Sequence, residues 1–260
     1  MHGLGNDFVI IDAREKEVDL SPAKAAAIAN RHNGIGCDQL IVLRASDQAD
    51  LKMQIYNADG SEVEACGNAS RCVAKLIGDE TRIETAGGII VGSATEDGAI
   101  VDMGAPRFEW QSVPLAYAMD TLSMPVGWEY LQNPACVNVG NPHVIFFVDD
   151  SDSVELERLG PMIEVDPLFP DKANVNIAHI TDGSLHLRVW ERGVGLTQAC
   201  GTGACATAVA AIRRGLVSSP VRVELPGGSL VINWKEGEHI QMQGPTTYVF
   251  SGEADWDRFA

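Results

Sequence analysis

One short pattern occurs twice in this chain, and two copies of a pattern call for two copies of a folding unit. Residues 65–78 read ACGNASRCVAKLIG and residues 199–211 read ACGTGACATAVAA. At the same offset of 134, the stretch LKMQIYN (51–57) falls on LHLRVWE (185–191), and Ala65-Cys66-Gly67 falls on Ala199-Cys200-Gly201. Beyond the second motif the offset becomes 140, where ETAGGIIV (84–91) meets ELPGGSLV (224–231). Met103-Gly104 then meets Met242 and Gly244 with one position of slippage. A shared Cys-Gly step and a shared Gly-Gly turn at fixed spacing are the signature of an internal repeat, so the chain reads as two copies of one α/β unit. Its 260 residues suit two such units. The pattern thins in the proline-containing region 110–134, which sets the halves at 1–112 and 113–245, with a tail at 246–260.

Within each half the elements follow from local chemistry. A strand is predicted over Phe8 to Asp12, followed by a helix with Ser21 as N-cap, Pro22 at its first position and Gly34 as its stop. GIGCDQLIVLR is a glycine turn entering a strand, and in LKMQIYN the residues Leu51, Met53 and Ile55 alternate with polar neighbours as in a half-buried strand. Asp59-Gly60 turns the chain, and 84–106 reads as three strands joined by Gly-Gly and Asp-Gly turns. Cys66 and Cys200 each stand just ahead of a helix. Unsatisfied N–H groups and the positive end of the helix dipole stabilise a thiolate there, so a cysteine pKa below its usual ~8.5 is expected.

Charge and cysteine usage narrow the function. A net charge of −17 argues against nucleic acid and anionic membranes as partners, since phosphate binding needs clustered Lys and Arg. No apolar run approaches ~18 residues, and the start MHGLGNDFVIID lacks the basic and apolar regions of a signal peptide, so a cytoplasmic protein with reduced thiols is expected. The cysteines at 66/72 and 200/205 are spaced C-x5-C and C-x4-C without a C-x2-C pair, which does not suit a structural zinc site.

Two units packed about a pseudo-twofold axis would face Cys66 with Cys200 across an interdomain cleft. Two like groups on opposite faces of one carbon suit a two-base racemisation, in which one thiolate removes a proton and the other thiol delivers one. The pair would titrate together, and the backbone N–H groups of Gly67, Asn68, Gly201 and Thr202 are natural donors to the growing charge. Other polar candidates are Asn6 in GLGND, Gln39 in GCDQ, Asn57 ending a strand, Asn141 and His143 in GNPH, and Asn174 in ANVN. An Asn beside Gly or Pro is ordinarily a turn residue, and a lone His before an apolar strand is ordinarily structural. Glu191-Arg192 occupies the second-half counterpart of Asn57, and its guanidinium suits a bidentate carboxylate contact.

The segments MHGLGNDFVIID, GIGCDQ, NADGSEVEACGNASRC, GNPH, NVN, ERGVGLTQACGTGACA and the GP near residue 245 together resemble the diaminopimelate epimerase family. That family lies within the cofactor-independent two-thiol racemases and epimerases, which also include proline racemase. The resemblance spans nearly the whole chain. It implies an α/β (α+β) fold of two pseudo-symmetric halves, each a mixed sheet curled around a central helix, with the active site in the interdomain cleft and the tail 246–260 returning to the first half. It implies a PLP-independent isomerase of lysine and peptidoglycan precursor biosynthesis, with no cofactor, no metal and a diamino-dicarboxylic acid substrate. It also implies a homodimer.

Carried onto this sequence, the resemblance makes Cys66 and Cys200 the acid/base pair and His143 and Glu191 the groups that tune them. Asn6, Gln39, Asn57, Asn141, Asn174, Glu191 and Arg192 become substrate contacts, and Gly67-Asn68 and Gly201-Thr202 hold the α-carboxylate. The chain departs from many relatives at Leu196, where they carry Glu, at Ala69, where they carry Gly, and at Phe250, where an interface Tyr is common. Two other readings stand beside this one. A proline or hydroxyproline racemase would carry His at the position of Asn68 and lack the ERG segment, and a redox-regulated binding protein would use a Cys66–Cys200 disulfide.

Overall fold

In a computed structural model of the chain, described over residues 1–63 and 66–259, two compact units form: Met1–Val101 with Gly244–Ala260, and Asp102–Gln243. Glu64 and Ala65, which precede the first cysteine in its motif, and Ala260 lie outside the described residues. The first unit contains β1 (His2–Gly3), β2 (Asn6–Asp12), α1 (Pro22–Ala29), β3 (Gln39–Arg44), β4 (Leu51–Asn57), β5 (Glu62–Val63), α2 (Gly67–Ile77), β6 (Thr81–Thr85), β7 (Gly88–Ala94) and β8 (Gly98–Asp102). Its strands lie in the order β1-β2-β3-β4-β6-β7-β8, with β5 on β4. Ala69, Cys72 and Val73 of α2 pack into a core with Phe8, Ile41, Leu43, Leu51, Met53, Ile55 and Ile83. The alternation read along LKMQIYN therefore points Leu51, Met53 and Ile55 at the helix.

The second unit contains β9 (Gly127–Trp128), β10 (Leu131–Gln132), β11 (Ala135–Asn138), β12 (Pro142–Phe147), α3 (Leu156–Glu164), β13 (Asn174–Thr181), β14 (Ser184–Glu191), β15 (Gly195–Thr197), α4 (Gly201–Arg213), β16 (Val221–Leu225), β17 (Gly228–Asn233) and β18 (Gln241–Pro245). Its main order is β11-β12-β13-β14-β16-β17-β18, with β15 on β14 and a separate β9–β10 hairpin. Residues 102–112 join this unit through a bridge between Arg107 and Asn138 and the bond from Met103 N to the Ile240 carbonyl. Small residues let α4 sit deep: Gly203 to Ala211 are all buried. Over this stretch every residue but Thr207 is apolar or glycine, as a helix segment surrounded by core requires.

The pairing pattern repeats strand for strand. β2 and β3 are parallel, β3 and β4 antiparallel, β4 and β6 parallel, and β6 and β7 antiparallel. β12, β13, β14, β16 and β17 follow the same sequence of directions. Leu51 pairs with Ile83 and Leu185 with Val223, so the sequence offsets of 134 and 140 are kept in the hydrogen-bond register. Phe8 pairs with Gln39 and His143 with Asn174, which carries the repeat back to the start of each half at an offset of 135. Asn6 is therefore the counterpart of Asn141.

One helix boundary differs from expectation. α1 ends at Ala29 and does not run to Gly34, because Asn30 adopts ψ 120° and its Oδ1 accepts the N–H groups of His32 and Asn33. That side chain gives the backbone a turn in place of another helical bond. Gly34 instead permits a close approach: a Cβ there would lie 2.1 Å from the Ala27 carbonyl oxygen. Among the described residues no helix is long and apolar enough to cross a membrane.

Candidate active site

Each unit gathers its candidate residues at one end of its sheet, and the strand directions explain why. β2 and β3 run parallel and begin there, antiparallel β4 ends there, and the start of α2 is drawn to the same end. Asn6 opens β2, Gln39 opens β3, Asn57 closes β4 and Cys66 is the N-cap of α2 (φ −146°, ψ 111°). Gln39 and Asn57 are register partners, and Gln39 Nε2 donates to Asn57 Oδ1 at 3.0 Å. Asn57 Nδ2 donates onward to Ser61 Oγ at 3.1 Å. The half-buried Cys66 thiol points at Asn6 Oδ1, 3.8 Å away, and Asn68 Nδ2 donates to the same oxygen at 3.4 Å.

The second unit repeats this arrangement. Asn141 precedes β12, Asn174 opens β13, Glu191 closes β14 and Cys200 is the N-cap of α4 (φ −123°, ψ 106°). Cys200 Sγ accepts the Gly203 N–H at 3.4 Å and lies 3.5 Å from Thr202 Oγ1. The Glu191 carboxyl hydrogen-bonds the Cys200 thiol and takes the Thr197 hydroxyl at 2.5 Å. Gly67 and Asn68, and Gly201 and Thr202, are the first two helical residues of α2 and α4, with backbone N–H groups that begin those helices.

The electrostatics of Cys200 correct the expectation of a lowered pKa. Burial of the sulfur comes first and pushes the thiol well up, and the nearby Glu191 charge raises it further. The Thr202 and Gly203 contacts pull the other way but are the smaller effects. Burial likewise raises the Glu191 carboxyl. Removing a thiolate from water outweighs the helix start that helps it.

His143 is fully buried, and desolvation lowers its pKa to about 3, so the ring is neutral. Asn176 Nδ2 lies 3.0 Å from its Nδ1, leaving Nε2–H to donate to Asn141 Oδ1 at 2.9 Å. Of the two groups expected to tune the thiols, Glu191 bonds Cys200, whereas His143 directs both ring nitrogens to amide side chains. Among the described residues no group of three or more His, Cys, Asp or Glu is placed to hold a metal.

The family model described as "Diaminopimelate epimerase" matches residues 1–109 and 135–249. The chain belongs to the diaminopimelate epimerase family. Its sequence is 62% identical over 260 residues to the diaminopimelate epimerase of Sphingopyxis alaskensis, covering all of this chain and 97% of that one. Solved structures share the fold at low identity. A phenazine biosynthesis protein of the PhzF family from Enterococcus faecalis superposes with a TM-score of 0.67 at 13% identity, over 93% of this chain and 89% of that one. A probable proline racemase from Agrobacterium radiobacter, solved with bound carbonate, gives 0.66 at 15% identity, over 97% and 91%.

In this diaminopimelate epimerase family member the two remaining expected contacts, Asn174 and Arg192, are also engaged with the protein itself. Asn174, 3% exposed, donates to the Pro142 carbonyl at 2.8 Å and accepts the Arg192 N–H at 2.9 Å. The exposed Arg192 guanidinium donates to the Asp171 carbonyl at 2.9 Å. Ala69 is buried in the α2 core, while Leu196 and Phe250 are exposed. Sequence reasoning missed Asp38, Arg71, Asn176 and Thr197, which bond Asn6, Asn68, His143 and Glu191 respectively. Only Asp38 carried a signal, lying beside Gln39 in GIGCDQ.

Proposed function

We propose that this protein interconverts LL- and meso-2,6-diaminopimelate by a two-base mechanism, serving lysine and peptidoglycan precursor biosynthesis. The observation that carries the reading is the equivalence of Cys66 and Cys200, each the N-cap of the buried helix in one copy of the repeat. One thiolate takes the proton from the substrate α-carbon, and the electron pair left behind spreads into the α-carboxylate. The opposite thiol then delivers its proton to the other face of that carbon, so the two sulfurs end with their protonation states exchanged. Gly67, Asn68, Gly201 and Thr202 offer backbone N–H groups to the carboxylate as its charge grows, where fixed dipoles help most.

Asn6, Gln39, Asn57, Asn141, Asn174, Glu191 and Arg192 serve as the remaining substrate contacts. Arg192 suits a carboxylate and Glu191 an ammonium group. Glu191 has a second duty. With its pKa raised by burial, Cys200 rests as the thiol, and in the direction where it acts as base its hydrogen-bonded partner Glu191 receives the proton. Neutral His143 fixes Asn141 and acts through it. The two compact units are taken as the two epimerase domains, and the active form as a cytoplasmic homodimer.

The test is incubation of the reduced protein with LL-diaminopimelate in D2O, without added PLP or metal. Deuterium at the α-carbon and a shift from LL to meso are expected together. Folded, reduced protein that exchanges no α-proton would refute the proposal.

A further inference from the structure

The proposed mechanism uses Asn6 and Asn68 but leaves Arg71 and Asp38 without a part. Both bond those amides from opposite sides. Arg71 is fully buried in α2, and its Nη2 donates to Asn68 Oδ1 at 2.9 Å. Asn68 Nδ2 donates to Asn6 Oδ1 at 3.4 Å, and Asn6 Nδ2 donates to Asp38 Oδ2 at 3.0 Å. The result is a one-directional chain from guanidinium to amide to amide to carboxylate. Because a guanidinium only donates and a carboxylate only accepts, neither amide can turn over without breaking a charge-assisted bond. The carboxylate is itself held. Asp38 Oδ1 accepts Arg31 Nη2 at 2.7 Å, its Oδ2 also takes the Asp7 N–H at 3.0 Å, and Asp7 Oδ1 accepts the Asp38 N–H at 2.8 Å. Arg31 is anchored in turn by a bidentate pair with Asp7 at 2.7 and 2.9 Å.

This chain fixes which end of Asn6 meets the reactive sulfur. Cys66 Sγ lies 3.8 Å from Asn6 Oδ1, so the thiol faces an acceptor. An acceptor favours S–H over S⁻ and opposes the helix start behind it. We propose that Asp38 is a positioning residue of this half of the reaction: clamped by Arg31 and Asp7, it holds the Asn6 amide with its oxygen on Cys66, so that the sulfur keeps its proton until the substrate carbanion takes it. The inference rests on the proposed epimerase reading for its meaning, but its geometry lies within the first unit alone.

Cys66 is half-buried while the other five cysteines are buried, so it can be followed separately by alkylation in a Cys200→Ser background, with its peptide quantified by mass spectrometry. Asp38→Ala should raise the alkylation rate of Cys66 near neutral pH about two- to fivefold and move the alkylation midpoint to lower pH, because the thiol loses the acceptor that favoured S–H. The plateau rate at high pH should stay unchanged, which separates a change in ionisation from a change in access. Asp38→Asn retains an oxygen for the Asn6 N–H and should restore most of the wild-type profile. In an Asn6→Ala background, Asp38→Ala should add nothing, since the route runs through Asn6. In the otherwise unmodified enzyme, Asp38→Ala should lower kcat/KM with LL-diaminopimelate about tenfold. An unchanged alkylation profile in Asp38→Ala, or an effect that persists without Asn6, would overturn the assignment. Alkylation needs no substrate, so failure of this inference is distinct from failure of wild-type turnover.

Discussion

His143 offers a quantitative check on the second unit, because its ring is fully buried and its pKa is depressed to about 3. In the unfolded chain the same ring titrates near ~6.5. Below that pH the unfolded state binds a proton that the folded state refuses until about pH 3, so stability falls as the medium is acidified through this window. The contribution is fully present above the unfolded pKa. Integrating the difference in bound protons from about pH 7 to about pH 5.5 gives a loss of roughly 1.2 kcal/mol from this residue. In His143→Gln that loss should vanish, while every other titrating group is common to both proteins. Urea unfolding at the two pH values, followed by tryptophan fluorescence, measures it. Four of the five tryptophans, Trp110, Trp128, Trp190 and Trp234, lie in the second unit and Trp256 in the first, so in a Trp256→Phe background the signal reports the unit that holds the histidine. If the pH dependence of the two proteins differs by less than roughly 0.4 kcal/mol, the ring is not held neutral by burial and the reasoning is wrong.

Three further outcomes follow from the same geometry. Cys66→Ala and Cys200→Ala should each lower epimerisation by at least about 100-fold, measured as the LL-to-meso ratio over time, because each removes the acid/base on one face. Glu191→Gln should shift the alkylation midpoint of Cys200 to lower pH, since the Glu191 charge is one cause of its raised pKa; residue-resolved alkylation in a Cys66→Ser background reads this directly. Asn174→Ala should cost about 2–4 kcal/mol in urea unfolding by stranding the Pro142 carbonyl and the Arg192 N–H, whereas a residue that only touches substrate would change KM and leave stability alone.

The repeat was legible because glycine turns, a Cys-Gly helix start and strand alternation are local demands that leave a local record. Offsets of 134 and 140 read from residue letters reappear as the register pairs Leu51–Ile83 and Leu185–Val223. The offset of 135 that equates Asn6 with Asn141 and Phe8 with His143 was not legible, because the two strands share a backbone path but not their side chains. Asn176 and Arg71 were missed for a related reason. A polar residue inside an apolar strand or helix carries no mark of the partner that folding brings to it.

The sequence by itself determined that there are two units, that each places one thiol at a helix start, and which polar residues stand near glycine and proline turns. Tertiary structure alone decided the electrostatics and the hydrogen-bond directions. Cys200 at a helix start reads as a stabilised thiolate, but burial is a property of the packed unit, and desolvation together with Glu191 reverses the sign. Asn6 reads as a turn residue, yet parallel pairing of β2 with β3 brings Asp38 to one end of its amide and Cys66 to the other. Helix starts and turns are set by neighbours in the chain, whereas the burial of a sulfur is set by packing, and the partners of the Asn6 amide come from residues 32 and 60 positions away.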